Sequence, residues 1–286
     1  MFPSCKLCGS DPISRSKIVR DGVYYRTSDS KWIQRFRCQS CKSRFSRATF
    51  QSCYRQKKRQ KNELLRQLLC SGISQRRAAR VLKITRVTVM RKFLFLALEA
   101  EFHFRASNIL ATKAKTIEFD DMESFEHTKC KPLSITLAVE SKTRRILGLE
   151  VAKMPAKGLL ARVKRYGPRI DERQLGRALL FRRLKDLVEK DVVIKSDSNP
   201  HYPLDVRAYF PEGKHLRYLG KRGASTGQGE LKKVRFDPLF SLNHTCAKFR
   251  ADINRLFRRT WCTTKSPERL RSHLILYAHY HNQNLA

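Results

Sequence analysis

Two short cysteine pairs, CKLC at Cys5 and Cys8 and CQSC at Cys38 and Cys41, constrain what this chain can fold into more than any other feature. A two-residue gap lets one tight turn aim two thiolates at a single ion, and tetrahedral zinc takes four such soft ligands. The 29 residues between the pairs carry IVRDGVYYR and KWIQRFRC, two short runs with the aromatic and β-branched content of strands. Together they predict a zinc ribbon over residues 1–55, with structural Zn²⁺ on Cys5, Cys8, Cys38 and Cys41. So small a module buries too little apolar surface to stand alone, so metal binding becomes part of its folding free energy. The other five cysteines, Cys53, Cys70, Cys130, Cys246 and Cys262, are isolated. That distribution suits a reducing compartment and makes the cytoplasm the expected location.

Charge narrows the partner. Lys and Arg total 61 against 25 Asp and Glu in 286 residues, a formal net charge of +36. Positive residues recur along the whole chain, so the expected partner is a polyanion, foremost nucleic acid, whose phosphates release counterions on neutralisation. A membrane is not expected: the longest apolar run, FLFLALEA at 93–100, is too short to span a bilayer, and MFPSCKLCGS at the start has no apolar signal region. Between Lys42 and Lys61 lie eight basic residues and no acid, interleaved with Phe45, Phe50 and Tyr54. Lys57, Lys58 and Arg59 in this run are candidates for phosphate contact.

Residues 56–110 predict a helix-turn-helix DNA-binding domain. Apolar residues fall at helical spacing (Leu64, Leu65, Leu68, Leu69; Ala78, Ala79, Leu82; Val87, Val89, Met90, Phe93). Ser71 and Gly72 break the first helix, Ser74 caps the second and Thr85 the third. Small Ala78 and Ala79 permit a close crossing, and the third helix would offer Arg86, Thr88, Arg91 and Lys92 to a major groove.

After Ala111 the pattern turns from helical to alternating. TIEFDDMESFEH, LSITLAVES and RILGLEVAKM read as three consecutive antiparallel strands. A basic helix over about 172–190 follows, then a buried strand, DVVIKSD, ending at Asp197. Three strands, helix, strand, then helices is the order of an RNase H-like α/β fold, expected over 111–286. In such a fold the first and fourth strands are neighbours, which would bring Asp120 and Asp197 face to face. The first strand gathers Glu118, Asp120, Asp121, Glu123 and Glu126 into nine positions, where uncompensated carboxylates repel. Divalent cations shared by Asp120 and Asp197 would relieve that repulsion and could serve phosphoryl transfer; Mg²⁺ or Mn²⁺ is the expected catalytic cofactor.

Taken in this order, the segments resemble a bacterial insertion-sequence transposase of the DDE class: zinc ribbon, helix-turn-helix, RNase H-like catalytic domain. IEFDDMESF is similar to that family's first catalytic motif and VVIKSDSNPHY to its second. SLNHTCAKFRADINRLFRRTWCTTKSPERLRSHLILYAHYHN resembles its closing helical region. The resemblance implies catalytic Asp120 and Asp197 and a third residue at the start of a late helix, where this chain departs from the usual Glu. Asn243 stands there, and Glu230, 33 residues after Asp197, is the rival. Lys248 or Arg250 would hold a scissile or flanking phosphate. The implied activity is binding the terminal inverted repeats of an insertion sequence and catalysing metal-dependent DNA strand cleavage and transfer. Its partners would be double-stranded DNA, as element ends and target, and a second copy of the chain in a homodimer or larger assembly at the nucleoid. A non-catalytic DNA-binding regulator, an RNA-binding protein and a nuclease without strand transfer are the competing classes.

Overall fold

The fold begins with a three-stranded antiparallel sheet in the order β1-β2-β3: β1 (Ile18–Arg26), β2 (Lys31–Cys38) and β3 (Arg44–Ser46). This computed structural model describes residues 3–10, 17–219, 237–257 and 262–285. Its chain divides into two compact units, Met1–Leu65 and Arg66–Ala286. The first two strands coincide with the predicted segments. Their register slips between Arg20 and Val23, where Gly22 adopts φ +73°, a left-handed conformation that glycine reaches without strain. The core of this unit is small, with Cys5, Ile18, Phe36, Cys38 and Phe45 its buried cluster. Two of those five residues are metal-type ligands.

Three helices follow: α1 (Asn62–Leu69), α2 (Gln75–Leu82) and α3 (Arg86–Leu110). Both expected caps form. Ser74 Oγ accepts from the Arg77 amide, and Thr85 Oγ1 from the Thr88 amide. Ala78 and Ala79 are buried. α3 is one 25-residue helix whose inner stripe, Val89, Phe93, Leu96, Ala97, Ala100 and Phe104, is buried. It packs on α7 (Pro267–Gln283). That stripe leaves Val87 and Met90 on the outside, 53% and 43% exposed, rather than in the core. It also takes in Lys92, which stands one turn from both Val89 and Leu96 and is buried. The groove-facing role expected of Lys92 therefore does not fit its position, whereas Arg86 and Arg91 are exposed.

The second unit is a mixed α/β fold around a five-stranded mixed sheet in the order β6-β5-β4-β7-β8. β4 (Ala114–Phe125), β5 (Pro132–Glu140) and β6 (Ile146–Lys153) form the antiparallel meander. α4 (Arg173–Leu184) then crosses to β7 (Val188–Asp197), which runs parallel to β4 as expected of the first and fourth strands. α5 (Tyr202–Tyr209) leads to β8 (Lys214–Tyr218), parallel to β7. α6 (Phe240–Asp252) contacts β4 and β5, and α7 contacts β6. On one face Leu180, Phe181 and Leu184 of α4 pack with Ile117, Phe119, Ala138 and Ile194. Gly148 of β6 makes that contact possible, since a Cβ there would sit 2.6 Å from Leu180 Cδ1. The predicted helix over 172–190 is shorter than expected, because the strand pairing of β7 already claims Val188 opposite Ala114. Among the described residues, no helix is long and apolar enough to cross a membrane.

Candidate functional site

The four cysteines converge. Their Sγ atoms all lie within 4.8 Å of one another, with Cys5 to Cys41 at 3.5 Å and Cys8 to Cys38 at 3.6 Å. Four thiolates about 2.3 Å from one tetrahedral ion stand about 3.8 Å apart, so this set fits zinc. Backbone bonds shape the two turns: the Cys5 amide donates to Ser10 O, the Gly9 amide to Cys5 O, and the Cys38 amide to Ser43 O. The Ser43 hydroxyl and the Cys8 backbone amide pull the Cys5 thiol down to about 6, favouring the ligating thiolate. The cluster could therefore hold a metal such as zinc.

The acidic strand separates into individual roles. Glu118 is buried and accepts from Ser141 Oγ at 2.7 Å and from the Leu242 amide at 2.9 Å, tying the start of α6 to β4. Asp121 accepts from Thr136 Oγ1 and Arg177 Nη1. Arg177 is itself buried, gives its Nε to Asp205 at 2.5 Å, and lies over the Tyr202 ring. Glu123 pairs with Lys157 at 2.7 Å and Glu126 with Arg169 at 3.0 Å. Asp120 differs from all of these. Its Oδ1 accepts only neutral donors, the Asp121 amide at 2.7 Å and Tyr202 Oη at 3.0 Å.

Strand register explains what Asp120 faces. The last parallel rung joins Glu118 to Lys195, so Asp120 and Asp197 stand two steps beyond it on neighbouring strands, with matching parity. Both line one cavity of about 230 Å³, together with Asp121, Glu123, Asn199 and Tyr202. Lys157 and Arg173 also border it, but each is already paired, with Glu123 and Asp171 respectively. Asp197 Oδ1 accepts from the Asn199 amide at 3.0 Å. Burial first, and the Asp197 carboxylate second, push the Asp120 pKa up to about 6. Thus in a chain of net charge +36, two partly buried carboxylates share a cavity, and among the described residues neither has a cationic partner. Hard carboxylate oxygens in that setting fit a divalent cation such as Mg²⁺ or Mn²⁺. No family model matches this chain, and no curated protein matches it.

Around this pair the other candidates are distributed unevenly. Asn243 is exposed on the first turn of α6 and donates its Nδ2 to Asp237 Oδ2 at 2.8 Å; it does not line the cavity. Glu230 lies outside the described residues. One turn beyond Asn243, Cys246 stands near enough to Asp120 to feel its charge, and burial pushes its thiol up to about 12. Lys248 and Arg250 are exposed on α6. In the first unit Lys57 and Lys58 are exposed, while Arg59 Nη1 donates to Gln51 Oε1. Thr88 is half-buried with its hydroxyl against that of Thr85.

Two residues hold positions here that the sequence did not assign to them. Tyr202 is fully buried, lies tilted against the Phe119 ring and fixes Asp120 by its phenol; burial and the carboxylates of Asp121, Asp120 and Asp197 raise its pKa, so it remains a donor. Asp237 accepts from the Leu239 amide as well as from Asn243, at the head of α6. The Tyr two places after a Ser-Asn-Pro turn was a usable signal for the first. Asp237, beside a run of basic residues, gave none.

Proposed function

We propose that this chain is a DNA transposase that binds the terminal inverted repeats of an insertion sequence and carries out metal-dependent strand cleavage and transfer. The observation that carries the reading is the cavity shared by Asp120 and Asp197, distant in sequence and without cationic partners among the described residues. The strand order β6-β5-β4-β7-β8, with an antiparallel meander followed by two parallel strands, supports an RNase H-like catalytic domain. The cysteine cluster beside a three-stranded sheet supports a zinc ribbon, and the capped α2 and α3 support a helix-turn-helix that presents Arg86 and Arg91. A regulator that only bound DNA would leave the cost of holding two carboxylates together uncompensated.

Bound at Asp120 and Asp197, Mg²⁺ or Mn²⁺ would supply charge stabilisation for an in-line exchange of phosphodiesters. Tyr202 and the Asp121 amide hold Asp120 Oδ1, which leaves its other oxygen for a cation. In cleavage, water adds to phosphorus as the 3′ oxygen leaves with a proton. In transfer, that 3′ oxygen bonds to the phosphorus of a target phosphodiester as the target's own 3′ oxygen leaves, taking up the proton the hydroxyl gives off. The exchange is nearly isoenergetic, so positioning and electrostatics suffice. Asn243 and Glu230 are the rival candidates for the third catalytic residue, and a dimer or larger assembly would cut two ends together.

The test is incubation with Mg²⁺ and a plasmid carrying the DNA that flanks the coding sequence. Wild type is expected to release ends bearing 3′ hydroxyls and to join them to target, while Asp197→Ala does neither. Equal products from both proteins, or none from wild type with Mg²⁺ or Mn²⁺, reject the reading. Cleavage without joined products would favour a nuclease instead.

A further inference from the structure

A second cavity adjoins the carboxylate pair. It encloses about 810 Å³ and shares Glu123, Met154 and Lys157 as lining with the smaller one, so the two lie side by side. Its floor is apolar: Met122, Met154 and Leu256 are buried there, and Leu160 stands at the border, 40% exposed. Its rim is basic, with Lys129, Lys157, Arg250 and Arg255. Arg255 is unusual. Burial holds its pKa below that of an ordinary guanidinium; it lies over the Phe93 ring and donates to Thr264 Oγ1 at 3.3 Å. Among the described residues no carboxylate pairs with it, and Arg250 beside it is equally without one. A largely desolvated cation with no counter-charge is costly unless an anion arrives.

An apolar floor beneath unneutralised cations suits a ligand with a flat apolar body and a phosphate. A base inside a duplex cannot reach such a floor, because both its faces are stacked and its edge is paired. A base released from the stack can, and burying it against apolar side chains offsets the loss of its neighbours. At about 810 Å³ the cavity falls in the upper part of the range of about 300 to 1,000 Å³ that ligand pockets span. We infer that this cavity receives one or two unpaired nucleotides of the DNA strand next to the scissile phosphate, with their phosphates on Arg250 and Arg255. The inference rests on the proposed DNA chemistry and adds a substrate form to it: a locally melted or frayed end rather than an intact duplex.

Equilibrium binding separates the two ideas. Fluorescence anisotropy in Mg²⁺-free buffer would compare a blunt duplex with the same duplex carrying three unpaired nucleotides at one end, for wild type, Leu160→Glu and Arg250→Gln. Both altered side chains are on the surface, and an unchanged circular dichroism spectrum and thermal melt report that each variant is folded, while the frayed-to-blunt ratio removes any general loss of DNA affinity at Arg250. Wild type is expected to bind the frayed duplex on the order of fivefold more tightly than the blunt one, the lower end of what stacking one base contributes. In both variants that ratio should fall towards one. The grip of the remaining basic surface is common to both DNAs and cancels. A wild-type ratio of one, or a preference that survives in both variants, overturns the inference while leaving the DNA reading intact. Failure to bind either duplex overturns both.

Discussion

Replacing Asp120 by Asn should stabilise the protein while disabling it. With its pKa raised from 3.8 to about 6, ionised Asp120 costs the folded state about 2.2 × 1.36, or roughly 3 kcal/mol, at pH 7.5. The sign follows from protonation in the two states. Far below pH 4 both carry the proton and there is no penalty; between about 4 and 6 the unfolded chain has lost its proton while the folded one retains it, so stability falls, and above about 6 the penalty is constant. At pH 4.5 the same arithmetic leaves about 1 kcal/mol. Asn keeps an Oδ1 that can accept from the Asp121 amide and Tyr202 Oη, so the exchange removes charge without orphaning either donor. In a domain of this size the gain corresponds to a rise in Tm of roughly 5–10 °C at pH 7.5, shrinking to a third of that at pH 4.5. Thermal melts of both proteins in Mg²⁺-free buffer measure it. Added Mg²⁺ should then raise the wild-type Tm and leave Asp120→Asn almost unmoved. Asn melting at or below wild type at pH 7.5, or Mg²⁺ raising both alike, would refute the electrostatic argument.

Other consequences can be measured separately. Atomic absorption should find one zinc per chain, and Cys38→Ser should lose it and render residues 1–65 sensitive to protease, since that unit has so small an apolar core. Glu118→Ala should cost about 3 kcal/mol in urea unfolding, because the Leu242 amide and Ser141 hydroxyl lose a charged acceptor in a buried place. Gly148→Ala should cost about 1–3 kcal/mol by forcing Leu180, itself fully buried, out of its rotamer; a loss under 0.5 kcal/mol would show that α4 yields easily.

Much of the architecture was legible because local chemistry and tertiary packing agreed. The two ribbon strands, the caps at Ser74 and Thr85, and the meander of β4, β5 and β6 all carry strong side-chain patterns. β8 was not read, since KHLRY is a half-exposed edge strand with no apolar run to mark it. Lys92 was read as surface because lysine usually is, and only the position of α7 decides which side of α3 is covered. For the acidic segment, the alternation put Asp120 and Asp121 on opposite faces. It could not reveal that Arg177, 56 positions later, would neutralise Asp121 while nothing described here neutralises Asp120. Likewise the amide of Asn243 finds Asp237 through the turn ahead of α6, a contact with no periodicity behind it.

The bond from the Leu242 amide to Glu118 spans 124 positions. Contacts of such long range close late in folding, after the loops between them have been ordered. A nascent chain still on the ribosome would present the first aspartate without the helix that braces its strand, and for much of synthesis without the second aspartate. Whatever that strand does would thus wait until the helix carrying Leu242 has been made and has docked.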